Sequence, residues 1–356
     1  MSRYWSQTVR NISPYVPGEQ PKDRKYIKLN TNENPYPPSA KAIEAIRDAV
    51  NETLRLYPDP SSEELRETIA RTFSLKKENV FVGNGSDEVL AFCFPAFFEP
   101  AGLPVLFAEI TYSFYPVYAA LFNTPYRLIP MDDEFNVPVE GYFQENGGIL
   151  IANPNAPTGK GLPLEGIQKI LQRNAGSVVI IDEAYVDFGG HSAAGLIETY
   201  PNLLVIRTLS KSHSLAGLRV GYALGGNDLI EGITRVKDSV NSYTVDRMAQ
   251  AGAREAIKDV ACLQETLSKI IQTRERVSAG LMDMGFHVIP SQANFIFVSH
   301  AQFPAVDLFQ SLREKGILVR YFNKPRIDNY LRVTIGTDEE MDRFLEAIAV
   351  ICEKRI

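Results

Sequence analysis

Six short apolar runs recur along the first two thirds of the chain, each closed by a turn or a helical pattern: VFVGN, VLFAEI, GILIAN, SVVIID, LLVIRT and RVGYAL. Runs this short with no polar alternation predict strands buried on both faces, and their alternation with helical segments predicts an α/β fold. The expected architecture is a mostly parallel sheet between helices. KAIEAIRDAV and SSEELRETIARTF read as amphipathic helices, the second capped by Ser61 or Ser62. After about residue 250 the texture changes to a long helical stretch, LQETLSKIIQTRERVSAGLMDMG, then NFIFVS, a helix around AVDLFQSLREKG, strands ILVRY and YLRVTIG, and a last helix from Asp338. That order predicts a smaller α+β domain. The first 35 residues, rich in Pro, Asn and Tyr, read as an arm lying on something else. The expected division is 1–35 as arm and part of the small domain, 36–250 as the large domain and 251–356 as the small C-terminal domain.

The 356 residues suit two domains, and 45% hydrophobic content is ample for their cores. A net charge of −6 with interspersed signs argues against a nucleic-acid partner. Cys93, Cys262 and Cys352 are widely separated and odd in number, so neither a disulfide framework nor a metal site is expected, and a reducing cytoplasm fits. No apolar stretch has membrane-spanning length, and the N-terminus lacks an apolar signal region.

Three turns at predicted strand ends carry chemistry. Gly85, Ser86 and Asp87 follow VFV and open an apolar helix, an arrangement suited either to a plain helix start or to phosphate on free backbone N–H groups. NPNAPTG follows ILIAN, its asparagines able to aim amide donors at a ligand oxygen or merely to brace a rigid turn. Asp182 ends VVIID, where a carboxylate is a helix cap, a salt-bridged core acid, or a partner for a cationic ring nitrogen. Tyr185 lies three residues on.

TLSKSHSLAGLRVGYA is the fourth. No other Lys, Arg, Asp or Glu stands between Arg207 and Arg219 except Lys211. In a dry, uncharged pocket such an amine loses its proton readily and attacks carbonyls; the plain alternative is a buried stem with its tip reaching solvent. Ser210 and Arg219 would clamp a phosphate nearby.

These blocks, with PYVPG, KLNTNENPYPPS, YPDP, TYSFY, ANF and LRVTIGT, resemble the fold-type I pyridoxal-phosphate-dependent aminotransferases over nearly the whole chain, and within them the histidinol-phosphate branch. The resemblance implies that pyridoxal 5′-phosphate is held covalently by Lys211, which also moves the proton between substrate Cα and cofactor C4′. It implies that Asp182 meets the ring nitrogen, Tyr185 and Asn155 the ring hydroxyl, and Tyr112 the ring face. Gly85, Ser86, Asp87, Ser210 and Arg219 surround the phosphate, Asp87 through its backbone at the helix start. Tyr57 reaches the neighbouring subunit's phosphate, which implies a homodimer. Tyr15, Asn32, Arg320 and Arg332 face the substrate, the arginines taking carboxylate or phosphate. The implied reaction exchanges an amino group between histidinol phosphate and 2-oxoglutarate. Threonine-phosphate decarboxylase and aromatic amino-acid aminotransferase share this resemblance. A cofactor-free Schiff-base aldolase also uses a lone lysine but has no use for Asp182 or the phosphate turn, and a ligand-sensing regulator is disfavoured because no DNA-binding module precedes residue 40. The chain departs from the family pattern at Ala156, where asparagine is common, at Ser212-His213-Ser214 in place of Ala-Phe-Gly, at Pro37 in place of glycine, and at Ser242 in place of proline.

Overall fold

The structure is a computed structural model and describes residues 2–353. Strand β1 (Ile27–Lys28) belongs to the N-terminal segment. It is followed by β2 (Val80–Gly83), β3 (Val105–Ala108), β4 (Tyr126–Ile129), β5 (Gly148–Ala152), β6 (Val179–Asp182), β7 (Leu203–Thr208) and β8 (Gly221–Gly225). The last seven form one sheet in the order β2-β8-β7-β6-β5-β3-β4. All its pairings are parallel except those of β8, which runs antiparallel to both β2 and β7. The α/β fold with a mostly parallel sheet is therefore as the sequence predicts.

Strands β5, β6 and β7 are buried along their whole length, because helices cover both faces. Alternate residues feed two separate cores: Val179, Ile181, Leu203 and Val205 point into one, and Ile180, Leu204 and Ile206 into the other. Strand β4 escaped the sequence reading because three of its four residues are exposed at the sheet edge, so it carries no apolar run.

The C-terminal part adds β9 (His287–Ile289), β10 (Phe295–Ser299), β11 (Ile317–Leu318), β12 (Arg320–Tyr321) and β13 (Leu331–Thr334). An antiparallel sheet of order β12-β13-β10-β9 packs against the helices Val260–Asp283, Ala305–Glu314 and Asp338–Glu353. The run ILVRY, expected as one strand, is two: Ile317 and Leu318 pair in parallel with β1, and Arg320 and Tyr321 pair with β13. The N-terminal segment is thereby stitched to the C-terminal one.

The cap of the helix Glu63–Thr72 differs from expectation. Ser62 occupies the N-cap position but at φ 50°, and its side chain makes no capping bond. Asp59 caps instead: one carboxylate oxygen accepts from the Glu63 N–H at 2.6 Å and the other from the Ser61 N–H at 2.9 Å. A carboxylate gains more than a hydroxyl from the helix dipole, which favours this substitution of roles. Among the described residues no helix is long and apolar enough to cross a membrane.

Candidate active site

Strand register gathers the chemistry at one edge of the large sheet. Asp182 ends β6 beside Ala152 of β5 and Ile206 of β7, so the loops after these three strands, which carry Asn153–Gly159, Tyr185 and Lys211, converge outside the carboxyl ends. A cavity there is lined by Tyr15, Asn32, Ser86, Asp87, Tyr112, Asp182, Tyr185, Ser210, Lys211, Arg219, Arg320 and Arg332. Gly85 adjoins it, whereas Asn155 and Tyr57 do not line it. A larger groove of about 690 Å³ lies elsewhere, between segments 41–65 and 247–255. It is open and of mixed charge, and it lacks the lysine and the buried acid, so chemistry rather than volume marks the site.

The helix Ser86–Phe97 opens at Gly85, whose φ of 82° suits glycine. A Cβ there would come within 2.5 Å of Arg219 Nη2, and one on Gly221 within 2.2 Å of Ser86 N. The two glycines let β8 and Arg219 close on the helix start. Arg219 Nη2 pairs with Asp87 at 3.1 Å, and Nη1 donates to Ser210 Oγ at 3.4 Å. Asp87 also accepts from the Tyr112 hydroxyl at 2.8 Å. Its carboxylate thus orients both Arg219 and the Tyr112 ring, a side-chain role in addition to the backbone role expected of it. Burial, then Asp87, holds the Tyr112 hydroxyl well above its ordinary range.

Asp182 accepts from Tyr115 Oη at 3.0 Å and from Ala184 N at 3.3 Å. Burial pushes its carboxyl up to about 6, against those two hydrogen bonds. It forms no ion pair among the described residues, so it is a buried carboxylate lacking a countercharge.

Lys211 Nζ donates to the Thr31 carbonyl at 3.2 Å and lies 5.9 Å from the Tyr185 ring centre. The sequence suggests an uncharged pocket, but folding brings distant charged residues to it. Burial and then Arg332 pull the amine down to about 8, with Arg219 acting the same way and Glu33 and Asp87 opposing. The amine is poised all the same, with burial the leading cause.

Asn155 is 1% exposed, and its amide donates to the Ile110 carbonyl and to Thr158 Oγ1, both at 3.0 Å. Ala156 is the residue this loop turns to the cavity, together with Pro154. Tyr57 is 77% exposed and stacks on Tyr243 at 4.4 Å. Tyr15 stacks on Phe114 at 4.3 Å. Arg320 donates to the carbonyls of Val16 at 3.1 Å and Pro17 at 3.3 Å, not to a surface acid. Arg332 Nη2 donates to the Asn30 carbonyl at 3.0 Å, while its buried Nε has no hydrogen-bond partner.

Beneath the lysine loop lies a buried charge cluster that sequence reasoning missed. Arg207, 7% exposed, pairs with Asp187 and, at 3.5 Å, with Glu183. Glu183 accepts from Ser192 Oγ and Ala193 N, both at 2.6 Å, and burial still raises its carboxyl to about 7. His213 Nδ1 meets Ser212 Oγ at 2.9 Å, and burial lowers its ring to about 4, so the imidazole is neutral near pH 7. Ser212-His213-Ser214 therefore packs through a polar network, with Ser214 at φ 59°. One signal was available: an arginine inside a run otherwise as apolar as LLVIRT must find a buried partner.

The family described as aminotransferase class I and II matches residues 24–348. Histidinol-phosphate aminotransferase of Clostridium acetobutylicum is 57% identical over 348 residues, 98% of this chain and 99% of that protein. The enzyme of the same name from Clostridium beijerinckii is 55% identical over 351 residues, 99% and 98% of the two chains. Among solved structures, histidinol-phosphate aminotransferase from Sinorhizobium meliloti in complex with pyridoxal-5′-phosphate superposes with a TM-score of 0.89 at 25% identity, covering 100% of this chain and 99% of that one.

Proposed function

The chain belongs to the class I and II aminotransferases, and on that premise we propose that it exchanges an amino group between L-histidinol phosphate and 2-oxoglutarate, with pyridoxal 5′-phosphate as cofactor. The products are imidazole acetol phosphate and glutamate, a step of histidine biosynthesis. The observation that carries the proposal is the shared cavity of Lys211 and Asp182, an amine lowered to about 8 and a buried carboxylate without a countercharge.

The donor set fits that cofactor. Arg219, Ser210 Oγ and the free N–H groups at the start of the helix Ser86–Phe97 suit a phosphate. Asp182 suits a protonated ring nitrogen, which would supply the countercharge it lacks. The Tyr112 ring, held by Asp87, suits a stacking face, and the Tyr185 hydroxyl suits the ring oxygen. When bound, the cofactor supplies an electron sink for the charge left on substrate Cα.

The chain's own residues do the rest. Lys211, with its amine neutral in an appreciable fraction near pH 8, would hold the cofactor through its carbonyl carbon and, once a substrate amine has taken its place there, its freed amine would carry the proton between substrate Cα and C4′. Asp182 keeps the ring nitrogen protonated throughout. Arg332 and Arg320 hold the anionic ends of the substrates, the carboxylate of glutamate or the phosphate of histidinol phosphate. Tyr15 lines the substrate side, while Asn32 borders the same cavity with its amide bonded to Tyr185 and Thr334. We read the protein as a cytoplasmic homodimer in which Tyr57 serves the partner's site. Support for the dimer is the exposed apolar surface of Leu54, Leu56 and Tyr57 beside the open groove of segments 41–65 and 247–255.

Borohydride reduction of protein loaded with pyridoxal phosphate, followed by peptide mass analysis, tests the assignment. The pyridoxyl mass is expected on Lys211 and absent from Lys211→Ala; a colourless protein, or label on other lysines only, contradicts it.

A further inference from the structure

A tyrosine hydroxyl has one proton to give and lone pairs to receive with. At Tyr185 the structure fixes the receiving side: Asn32 Nδ2 donates to Tyr185 Oη at 2.9 Å. The Asn32 amide has no freedom to turn over. Its Oδ1 accepts from Thr334 Oγ1 at 3.0 Å, and the same threonine oxygen accepts from Asn32 N at 3.0 Å. The Asn32 carbonyl accepts from Asn294 Nδ2 at 3.1 Å. Asn32, Thr334 and Asn294 are 1%, 2% and 0% exposed, so water does not compete for these bonds. The Asn32 backbone sits at φ 56°, a conformation asparagine tolerates better than most residues. The Tyr185 ring is itself pinned edge-on to Phe295 at 5.0 Å.

With its oxygen already receiving a hydrogen bond, Tyr185 keeps its proton for the cavity, and no acceptor for it occurs among the described residues. The side-chain amides of the neighbouring loop donate elsewhere. The Asn153 amide donates to the Leu162 carbonyl, the Asn155 amide to Ile110 and Thr158, and position 156 is alanine. Tyr185 is thus a side-chain donor presented on this side of the cavity, and its direction depends on a residue 153 positions away in the chain.

We propose that Asn32, clamped by Thr334 and Asn294, is a positioning residue that aims the Tyr185 proton at the ring oxygen of the bound cofactor. The proposal rests on the cofactor reading above. It also ties β13, which carries both Thr334 and Arg332, to the ring side of the site, so that one strand orients a substrate-facing arginine and a cofactor-facing phenol.

The readout is the pH midpoint of the visible absorption change of the lysine-bound cofactor, measured without substrate. That midpoint reports the proton shared by Lys211 Nζ and the ring oxygen. A donor aimed at the oxygen favours the deprotonated form, so losing it moves the midpoint upward. The charged groups facing Tyr185 are Arg332, Asp182, Asp87 and Lys211, and the variants leave all four in place. Asn32→Gly, which preserves the backbone conformation, is expected to raise the midpoint by about 0.5–1 unit. Tyr185→Phe should raise it at least as far, and the double variant should match Tyr185→Phe alone. Thr334→Val, which frees the amide to turn, should shift the midpoint in the same direction and serves if Asn32→Gly folds poorly. An unchanged midpoint in Asn32→Gly and Thr334→Val beside a shifted one in Tyr185→Phe overturns the proposal, as do additive shifts in the double variant. Absence of any visible band in the unmutated protein overturns the cofactor reading, and this inference with it.

Discussion

Arg320 and Arg332 stand directly opposite each other in the antiparallel pairing of β12 and β13. Like charges at such positions repel, and burial holds the Arg332 guanidinium below its ordinary range, with Arg320 acting the same way and Tyr185, Tyr15 and Tyr112 opposing. Neither arginine forms an ion pair with an acid among the described residues; each donates to backbone carbonyls instead. Two guanidinium groups without acids, both lining the cavity that holds Lys211, suit the anionic substrates of the proposed reaction.

Arg320→Ala is therefore expected to raise KM for histidinol phosphate at least tenfold and KM for glutamate much less, since loss of a charge-assisted contact costs about 2–5 kcal/mol. Steady-state kinetics of the two half-reactions decide it. Equal effects on both substrates contradict the division of labour between the arginines.

The ligand-free protein carries its own signature of Asp182. Burial raises this carboxyl from 3.8 to about 6, so the folded chain holds the proton more tightly than the unfolded one. The resulting stability is fully present below about pH 4 and is lost as pH rises through 6. Asp182→Asn, neutral at every pH, lacks that loss. It is expected to exceed the unmutated cofactor-free protein by up to about 3 kcal/mol at pH 8, with the gap closing below pH 4. The same variant should lose nearly all turnover. Urea unfolding across this range checks the first outcome, and a variant less stable at pH 8 contradicts it.

Tyr57 is 77% exposed and does not line its own chain's cavity, being stacked on Tyr243. If it serves a partner subunit, mixing Tyr57→Ala and Lys211→Ala chains restores part of the activity, because one of the two mixed sites carries neither lesion. Failure to complement, with subunit exchange verified by mass, counts against a shared site.

Much of this was legible in the sequence for a physical reason. Strands β5, β6 and β7 are buried on both faces and so read as unbroken apolar runs, and the residues at their carboxyl ends announce the site. Asp182 and Lys211 stand out because a charge terminating or following such a run needs an explanation. What the sequence hid is contact between distant segments. Nothing local pairs Arg207 with Glu183, or Asn32 with Tyr185 across 153 residues. The charges that converge on Lys211 come from Glu33, Asp87, Arg219 and Arg332, far apart along the chain. Asn155 shows the limit from the other side: the right residue type in the right loop, with its amide already donated to Ile110 and Thr158.

The most direct measurement is glutamate formation from 2-oxoglutarate by protein loaded with pyridoxal phosphate, with histidinol phosphate, histidinol and phenylalanine compared as amino donors. The predicted result is rapid transfer from histidinol phosphate, abolished by Lys211→Ala, and far slower transfer from the two donors without phosphate. Equal rates from all three donors, or release of carbon dioxide from an amino-acid phosphate in place of amino transfer, would contradict it.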